Sequence, residues 1–369
     1  MDADVVIEMA RAEGFDLAGI APLAPPAAAA RFEDWLDAGR HGSMDYLERN
    51  RARIVDPRRI LPEGKSLLVL GLGHSRPAVE LDDGSRVARY AVGRDYHNLI
   101  GKKLKKLVRK LAEAGLVQRS RSIVDAGPIL ERSHAASAGL GFESKAANLL
   151  NPRFGPWFFL AEVLLDRDLE PSQVLESGSC GTCTACLDAC PTVAILEPGV
   201  VDSRLCISYQ TIENRAPIPH ELRTSIGPWA FGCDICSEVC PWGHKAPDLG
   251  ERFGQHEAIE TGSLVDWVEA GENFPKRFEG SPLRRPKRTG LARNSAIVLG
   301  NRPSESGQRA LQAALDDDPS ALVREAAAWG LARGHRDEPG VKRSLDRALA
   351  READEGARAG MVRSLDGQG

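Results

Sequence analysis

Cys180-Gly-Thr-Cys183-Thr-Ala-Cys186-Leu-Asp-Ala-Cys190-Pro191 opens the segment that decides how this chain is built. Cys206 follows, and then Cys233-Asp-Ile-Cys236-Ser-Glu-Val-Cys240-Pro241. The first run has the C-x2-C-x2-C-x3-C-P spacing, in which three thiolates hold one [4Fe–4S] cluster and the fourth reaches a second. The second run repeats the end of that pattern, with Cys206 standing in for its missing first cysteine. Two-residue gaps let a tight loop wrap one cubane, and the longer gap with its proline turns the chain away. By that logic Cys180, Cys183, Cys186 and Cys240 hold one cluster, and Cys190, Cys206, Cys233 and Cys236 the other. All 8 cysteines of the chain lie in this segment. Disulfides and zinc are the competing readings. A disulfide framework belongs to small secreted chains, and zinc gives no reason for the C-x3-C-P ending.

With 369 residues, 42% of them hydrophobic, the chain is long enough for two or three domains of an ordinary globular protein. The start, Met1-Asp-Ala-Asp-Val-Val-Ile, has no basic and then apolar leader, and the apolar stretch from Trp157 to Leu165 is short and contains Glu162. The expectation is a cytoplasmic protein that meets no membrane. A net charge of −4 predicts no global attraction to nucleic acid, although charge can be concentrated locally.

Residues 1–170 read as an α/β (α+β) domain. Val5 to Glu13, Phe32 to Leu36 and the Lys-rich stretch Leu99 to Ala114 have helical periodicity, whereas Ser66 to Gly71, Ser122 to Asp125 and Trp157 to Leu165 read as strands. Pro171 to Gly178 is a linker into a two-cluster domain over 171–248. Residues 249–369 turn rich in Ala, Leu and Arg. Arg293-Asn-Ser-Ala296-Ile-Val-Leu299 recurs loosely as Arg324-Glu-Ala-Ala327-Ala-Trp329, and Leu311/Leu315 as Leu345/Leu349, the spacing of HEAT-like helix pairs.

Cluster modules deliver electrons, so the chemistry is sought in the first domain. Arg89-Tyr-Ala-Val-Gly-Arg94-Asp95-Tyr96-His97 is dense in hydrogen-bonding side chains, and Val124-Asp125-Ala-Gly127-Pro128-Ile-Leu-Glu131-Arg132 sets a carboxylate at a strand end. Desolvated there, Asp125 would stay protonated and serve as a general acid; its plainer reading is a turn residue. Asp95-Tyr96-His97-Asn-Leu-Ile-Gly101 nearly spells D-x-H-x-x-G, a signature that supplies histidine to cobalt, but its glycine comes one residue late. His97 is therefore not assigned as a metal ligand.

The combination resembles the epoxyqueuosine reductase family. The resemblance rests on the Arg53-x-x-x-Pro57 segment, RYAxGRDYH at 89–97, VDxGPxxER at 124–132, Cys206-Ile-Ser-Tyr, Gly232-Cys-Asp-Ile-Cys and Gly290-Leu-Ala-Arg-Asn. It implies a nitroreductase-like cobalamin-binding domain, a bacterial-type ferredoxin domain packed over the cofactor, and tRNA-binding helical repeats. The implied activity is reduction of epoxyqueuosine to queuosine at the wobble position of tRNA anticodons, with base-off cobalamin and two [4Fe–4S] clusters. Electrons from the clusters would form cob(I)alamin, which opens the epoxide while Asp125 donates a proton. Arg53, Tyr96, His97, Asp125, Lys145, Leu149, Leu160, Cys233 and Asp234 fall in segments that line the family's corrinoid pocket, and Ser208 falls where the family meets tRNA. One departure is Ala146, where the family often has Asn; Asn148 comes two residues later.

A tRNA substrate needs positive surface. Lys102, Lys103, Lys105, Lys106, Arg109 and Lys110 crowd one helix, which equally suits a solvated face, while Arg284, Arg285, Lys287 and Arg288 precede the first repeat and are the better phosphate contacts. The wobble base would have to be unstacked and flipped. An unidentified low-potential electron donor is implied, and a monomer suffices to embrace tRNA. The alternatives are a corrinoid-dependent reductive dehalogenase and an electron-transfer iron–sulfur protein.

Overall fold

The computed structural model describes residues 2–175 and 178–367. Glu176 and Ser177, within the expected 171–178 linker, lie outside the described residues. The chain forms two compact units, each assembled from separated stretches: 1–77, 95–203 and 235–253 in the first, and 78–94, 204–234 and 254–369 in the second.

The first unit is built on a four-stranded sheet of β1 (Leu17–Pro22), β2 (Ser66–Gly73), β3 (Ser120–Ile123) and β4 (Phe158–Leu165), in the spatial order β1-β2-β4-β3. All its pairings are antiparallel, which makes the unit α+β. Strand β2 is an unbroken apolar run, and every residue of it is buried, as a central strand covered on both faces must be. Of the flanking helices, α1 (Asp2–Ala12) packs on β1 and on α2 (Tyr96–Glu113), while α3 (Glu131–Ser137) packs on β1, β2 and β4. Helix α2 buries Ile100, Leu104, Leu107 and Leu111 in one stripe. Its opposite face carries the lysines. Asp95 caps it, accepting the His97 N–H at 3.0 Å, and so fixes Tyr96 and His97 in the first turn.

In the second unit, Trp229–Phe231 pairs in parallel with Arg86–Val87. Helix α4 (Ile207–Ile212) comes early in this unit; after several short helices come α5 (Lys287–Asn301), α6 (Glu305–Asp317), α7 (Ala321–Gly334), α8 (Val341–Arg351) and α9 (Glu355–Leu365). The two recurring segments fall on α5 and α7, which pack on each other. Both are buried around most of their circumference. The polar groups carried inside are therefore satisfied by partners: Glu325 binds Arg223 at 2.8 Å and His220 at 2.9 Å. Fully buried Arg293 binds the carbonyls of Gln210, Asn214 and Ala216 at 2.6–3.0 Å. Among the described residues no helix is long and apolar enough to cross a membrane.

Candidate functional site

Three predicted residues of the first unit meet at one point. Strand β3 ends at Ile123, and Asp125 follows with φ 55°, a left-handed conformation that Asp tolerates better than most residues. Gly127 is required two residues on, because a Cβ there would lie 2.1 Å from Ile123 Cγ2. The turn brings Asp125 Oδ2 to 2.5 Å from the Tyr96 hydroxyl, which donates to it, and to 3.4 Å from His97 Nε2. His97 Nδ1 lies 2.8 Å from Asp95 Oδ1. Flanked by two carboxylates, Asp125 first and Asp95 second, His97 has its pKa raised to about 9. Tyr96 is stacked between His97 and Phe159, with ring centroids 4.2 and 4.1 Å away. The Asp125 side chain is 57% exposed, so burial does not keep a proton on it as expected; the proton resides on His97 beside it.

Behind this turn is a feature that motif reading passes over. The Asp125 N–H donates to Glu131 Oε1 at 2.9 Å. Glu131 in turn faces Glu162, a fully buried carboxyl in the middle of β4. Burial pushes both above the ordinary carboxylate range: Glu131, with the charge of Asp125 added, to about 7, and Glu162, with the charge of Glu131 added, well above its usual value. The sequence signal is one Glu inside an apolar strand.

The remaining corrin candidates are distributed. Leu149 is in the hydrophobic core and Leu160 is packed against it. Arg53 is exposed on the short helix Arg51–Val55. The ammonium of Lys145 binds the carbonyls of Gly181 and Cys183 at 2.8 and 3.0 Å and so braces the first cysteine loop. Asn148, two residues after Ala146, turns its amide to Ser237 Oγ and Cys236 Sγ. In the second unit the buried Asp234 accepts the Arg89 N–H at 2.7 Å, so its carboxylate ties down the 86–94 segment.

None of the eight cysteines is joined in a disulfide. Cys180, Cys183, Cys186 and Cys240, the predicted first ligand set, line one cavity with Ala146, Asn148 and Trp242; Cys236 also reaches it. Burial raises the Cys186 and Cys240 thiols, and the charges of the neighbouring cysteines raise them further. Thiolates crowded in this way need a cation to hold them, and iron fits that donor set. Amide donors aim at sulfur as well, from Lys145 to Cys180 at 3.5 Å and from Ala194 to Cys190 at 3.3 Å. Such bonds tune a cluster's potential.

The predicted tRNA surface lies in the second unit, and the structure alters its membership. Arg285 pairs with Glu213, at the end of the helix carrying Ser208, and Arg288 pairs with Asp318, both through two nitrogens. Arg284 and Lys287 are exposed, with no side-chain partner among the described residues. On α2, Lys103, Lys106 and Lys110 converge on the backbone and carboxylate of Glu13, which claims half of that basic face for structure.

These features define an iron–sulfur protein of mixed α and β architecture. A 4Fe-4S double cluster binding domain family matches residues 179–243, and the family described as epoxyqueuosine reductase QueG, DUF1730 matches residues 54–126. The chain is 39% identical over 342 residues to the epoxyqueuosine reductase of Pseudomonas aeruginosa, covering 90% of this chain and 94% of that one. It is 38% identical to the enzyme of Aliivibrio fischeri, over 92% and 95% of the two chains. The fold matches a crystal structure of epoxyqueuosine reductase with an epoxyqueuosine-modified tRNA-Tyr stem loop, with TM-score 0.89, 27% identity and coverage of 98% and 97%. It also matches the Bacillus subtilis enzyme with its catalytic aspartate loop swung out of the active site, with TM-score 0.87, 27% identity and 98% coverage of each chain. The chain belongs to the epoxyqueuosine reductase family.

Proposed function

We propose that this protein reduces epoxyqueuosine to queuosine in the anticodon of tRNA, with Asp125 as the proton donor. The observation that carries the reading is the Tyr96–His97–Asp125 cluster, in which two side chains of the 89–97 motif meet one carboxylate oxygen of the 124–132 motif, in a chain of this family. The reaction consumes two electrons and two protons, turns the epoxide into an alkene and releases water. The eight cysteines would hold two [4Fe–4S] clusters that pass electrons singly from a low-potential donor. Cobalamin, when bound, would supply a two-electron nucleophilic cobalt centre for opening the epoxide.

The side chains fit a base-off corrinoid. Both nitrogens of His97 are engaged by carboxylates and its ring is protonated at neutral pH, so it offers cobalt no lone pair. Tyr96, His97, Leu149, Leu160 and Arg53 would border the macrocycle. Tyr96 and Phe159 hold the His97 ring by stacking, and Tyr96 orients Asp125 Oδ2. His97 Nε2 gives its proton to Asp125 Oδ2, and Asp125 passes it to the epoxide oxygen as the carbon–oxygen bond breaks. The double-cluster module with HEAT-like repeats would work as a monomer in the cytoplasm, with Ser208, Arg284 and Lys287 facing the tRNA backbone.

The test is conversion of epoxyqueuosine-containing tRNA by anaerobically reconstituted protein with a chemical reductant, read by mass spectrometry of the nucleosides. Loss of one oxygen that requires added cobalamin is expected; no conversion by protein filled with both cofactors would refute the reading. A second expectation concerns the basic cluster. Arg284→Ala with Lys287→Ala should weaken tRNA binding and flatten its salt dependence, by roughly 0.7–0.9 in log–log slope for each phosphate no longer neutralised. Arg288→Ala should leave the slope alone and cost about 1–3 kcal/mol of stability, because it abandons the buried Asp318 carboxylate. Equal slopes in all variants would remove this surface from the tRNA site.

A further inference from the structure

The turn that carries Asp125 has an unusual backbone. Its key residue is a non-glycine at φ 55°, its side chain is more than half exposed, and it follows the end of an edge strand of the sheet. A conformation of that kind persists only when something else holds it. The holding contact is to Glu131, which opens α3. A carboxylate in the first turn of a helix ordinarily caps that helix's own free N–H groups. Glu131 instead reaches back six residues and accepts the backbone N–H of Asp125 at 2.9 Å.

The reason it points that way lies on the strand behind it. Glu162 occupies the centre of β4, paired in register with Val69 on one side and Ile123 on the other, and is fully buried. Neither of its carboxyl oxygens has a hydrogen-bond partner within ordinary limits, and the polar groups it faces are Glu131 and, beyond it, Asp125, both acids. A carboxyl in such a place must keep its proton. Its O–H is directed to Glu131, whose Oε1 accepts the turn amide. The residue that ends the same strand pairing, Ile123, also carries the chain into the turn.

We propose that Glu131 is a positioning residue for the proton donor: its carboxylate, backed by the protonated Glu162, latches the Asp125 turn in the conformation that brings Oδ2 to Tyr96 and His97. This rests on the reading of Asp125 as the proton donor. Glu131 touches no reacting atom and acts through the Asp125 backbone. The latch has two states, closed with the amide bound and open with it released, and so gives the donor loop a defined hinge.

The experiment compares Glu131→Ala, Glu131→Gln and Glu162→Gln with the parent protein by amide hydrogen exchange over residues 124–130, read without substrate, and by turnover on modified tRNA. Glu131→Ala should speed exchange in that segment by about 10- to 100-fold, the factor given by loss of a hydrogen bond to a charged group. Exchange elsewhere in the sheet and iron content should stay unchanged, and kcat should fall with little change in KM. Glu131→Gln keeps an oxygen acceptor at the same place and should restore most of the protection and of kcat; Glu162→Gln, which donates an N–H where the O–H was, should behave like the parent. Unchanged exchange over 124–130 in Glu131→Ala overturns the proposal, as does a loss of protection spread evenly through the sheet that Gln fails to rescue. Localised fast exchange with full turnover leaves the latch standing and overturns the catalytic role of Asp125 instead.

Discussion

Asp125→Asn should reduce turnover by about 10²- to 10⁴-fold, the range that a positioned general acid contributes, while iron content and cobalamin uptake stay at parent levels. Asn is the informative replacement because position 125 is left-handed, a conformation Asn also tolerates, whereas Ala there adds about 1 kcal/mol or more of backbone strain to the chemical loss. Asn retains an oxygen for the Tyr96 hydroxyl but carries no proton to give. The same site sets an alkaline limb. His97 has a folded pKa of about 9 against an ordinary 6.5, so its ion pairs with Asp125 and Asp95 are fully formed below about 6.5 and are lost as pH rises through about 9. Turnover should fall over that upper interval, and the limb should move downward in Asp125→Asn, which removes the largest contributor to the shift. Full activity in Asp125→Asn would dismiss Asp125 as the donor.

Much of the first unit is legible in the residues because its elements obey one period each. The run Ser66–Gly73 is apolar throughout and forms the central strand; the 99–114 repeat forms the helix whose cap sets out Tyr96 and His97. What escapes are elements whose burial depends on partners. Strand β1, Leu17–Pro22, is short and carries no pattern of its own, since its apolar face appears only against β2. In the helical part, α5 and α7 carry Arg, Asn, Ser and Glu at fully buried positions, so no amphipathic stripe marks them. The recurring motif shows the repetition; the buried partners of Arg293 and Glu325, far off in sequence, cannot be inferred from it.

The site divides in the same way. Motifs locate Tyr96, His97 and Asp125, whose separate segments meet, but they imply a desolvated Asp125, and the structure has it open and paired with a protonated imidazole. Charge counting also misassigns single residues. Arg285 and Arg288 look identical to Arg284 in sequence, yet each faces a carboxylate from another element. Ion pairing across elements is a property of the fold, so a basic run overstates the charge available to a ligand.

Cys240→Ala should lower the iron content of the anaerobically reconstituted protein from about eight to about four per chain and abolish turnover, because each of two four-iron clusters needs its full set of thiolates. Spacing alone assigns Cys240 to the set of Cys180, Cys183 and Cys186. The structure adds that these four sulfur-bearing residues line one cavity although Cys240 comes from a different loop. Their thiols also feel one another's charge, Cys186 that of Cys180 and Cys240, and Cys240 that of Cys180 and Cys183. Cys236 borders the same cavity and is the competitor for the fourth position. Its sulfur faces the amide of Asn148 at 4.0 Å. If Cys240→Ala kept about eight irons, Cys240 would be a ligand of neither cluster and the eight-thiolate assignment would fall; an exchange of Cys236 and Cys240 between the sets would instead leave about four irons in either single variant.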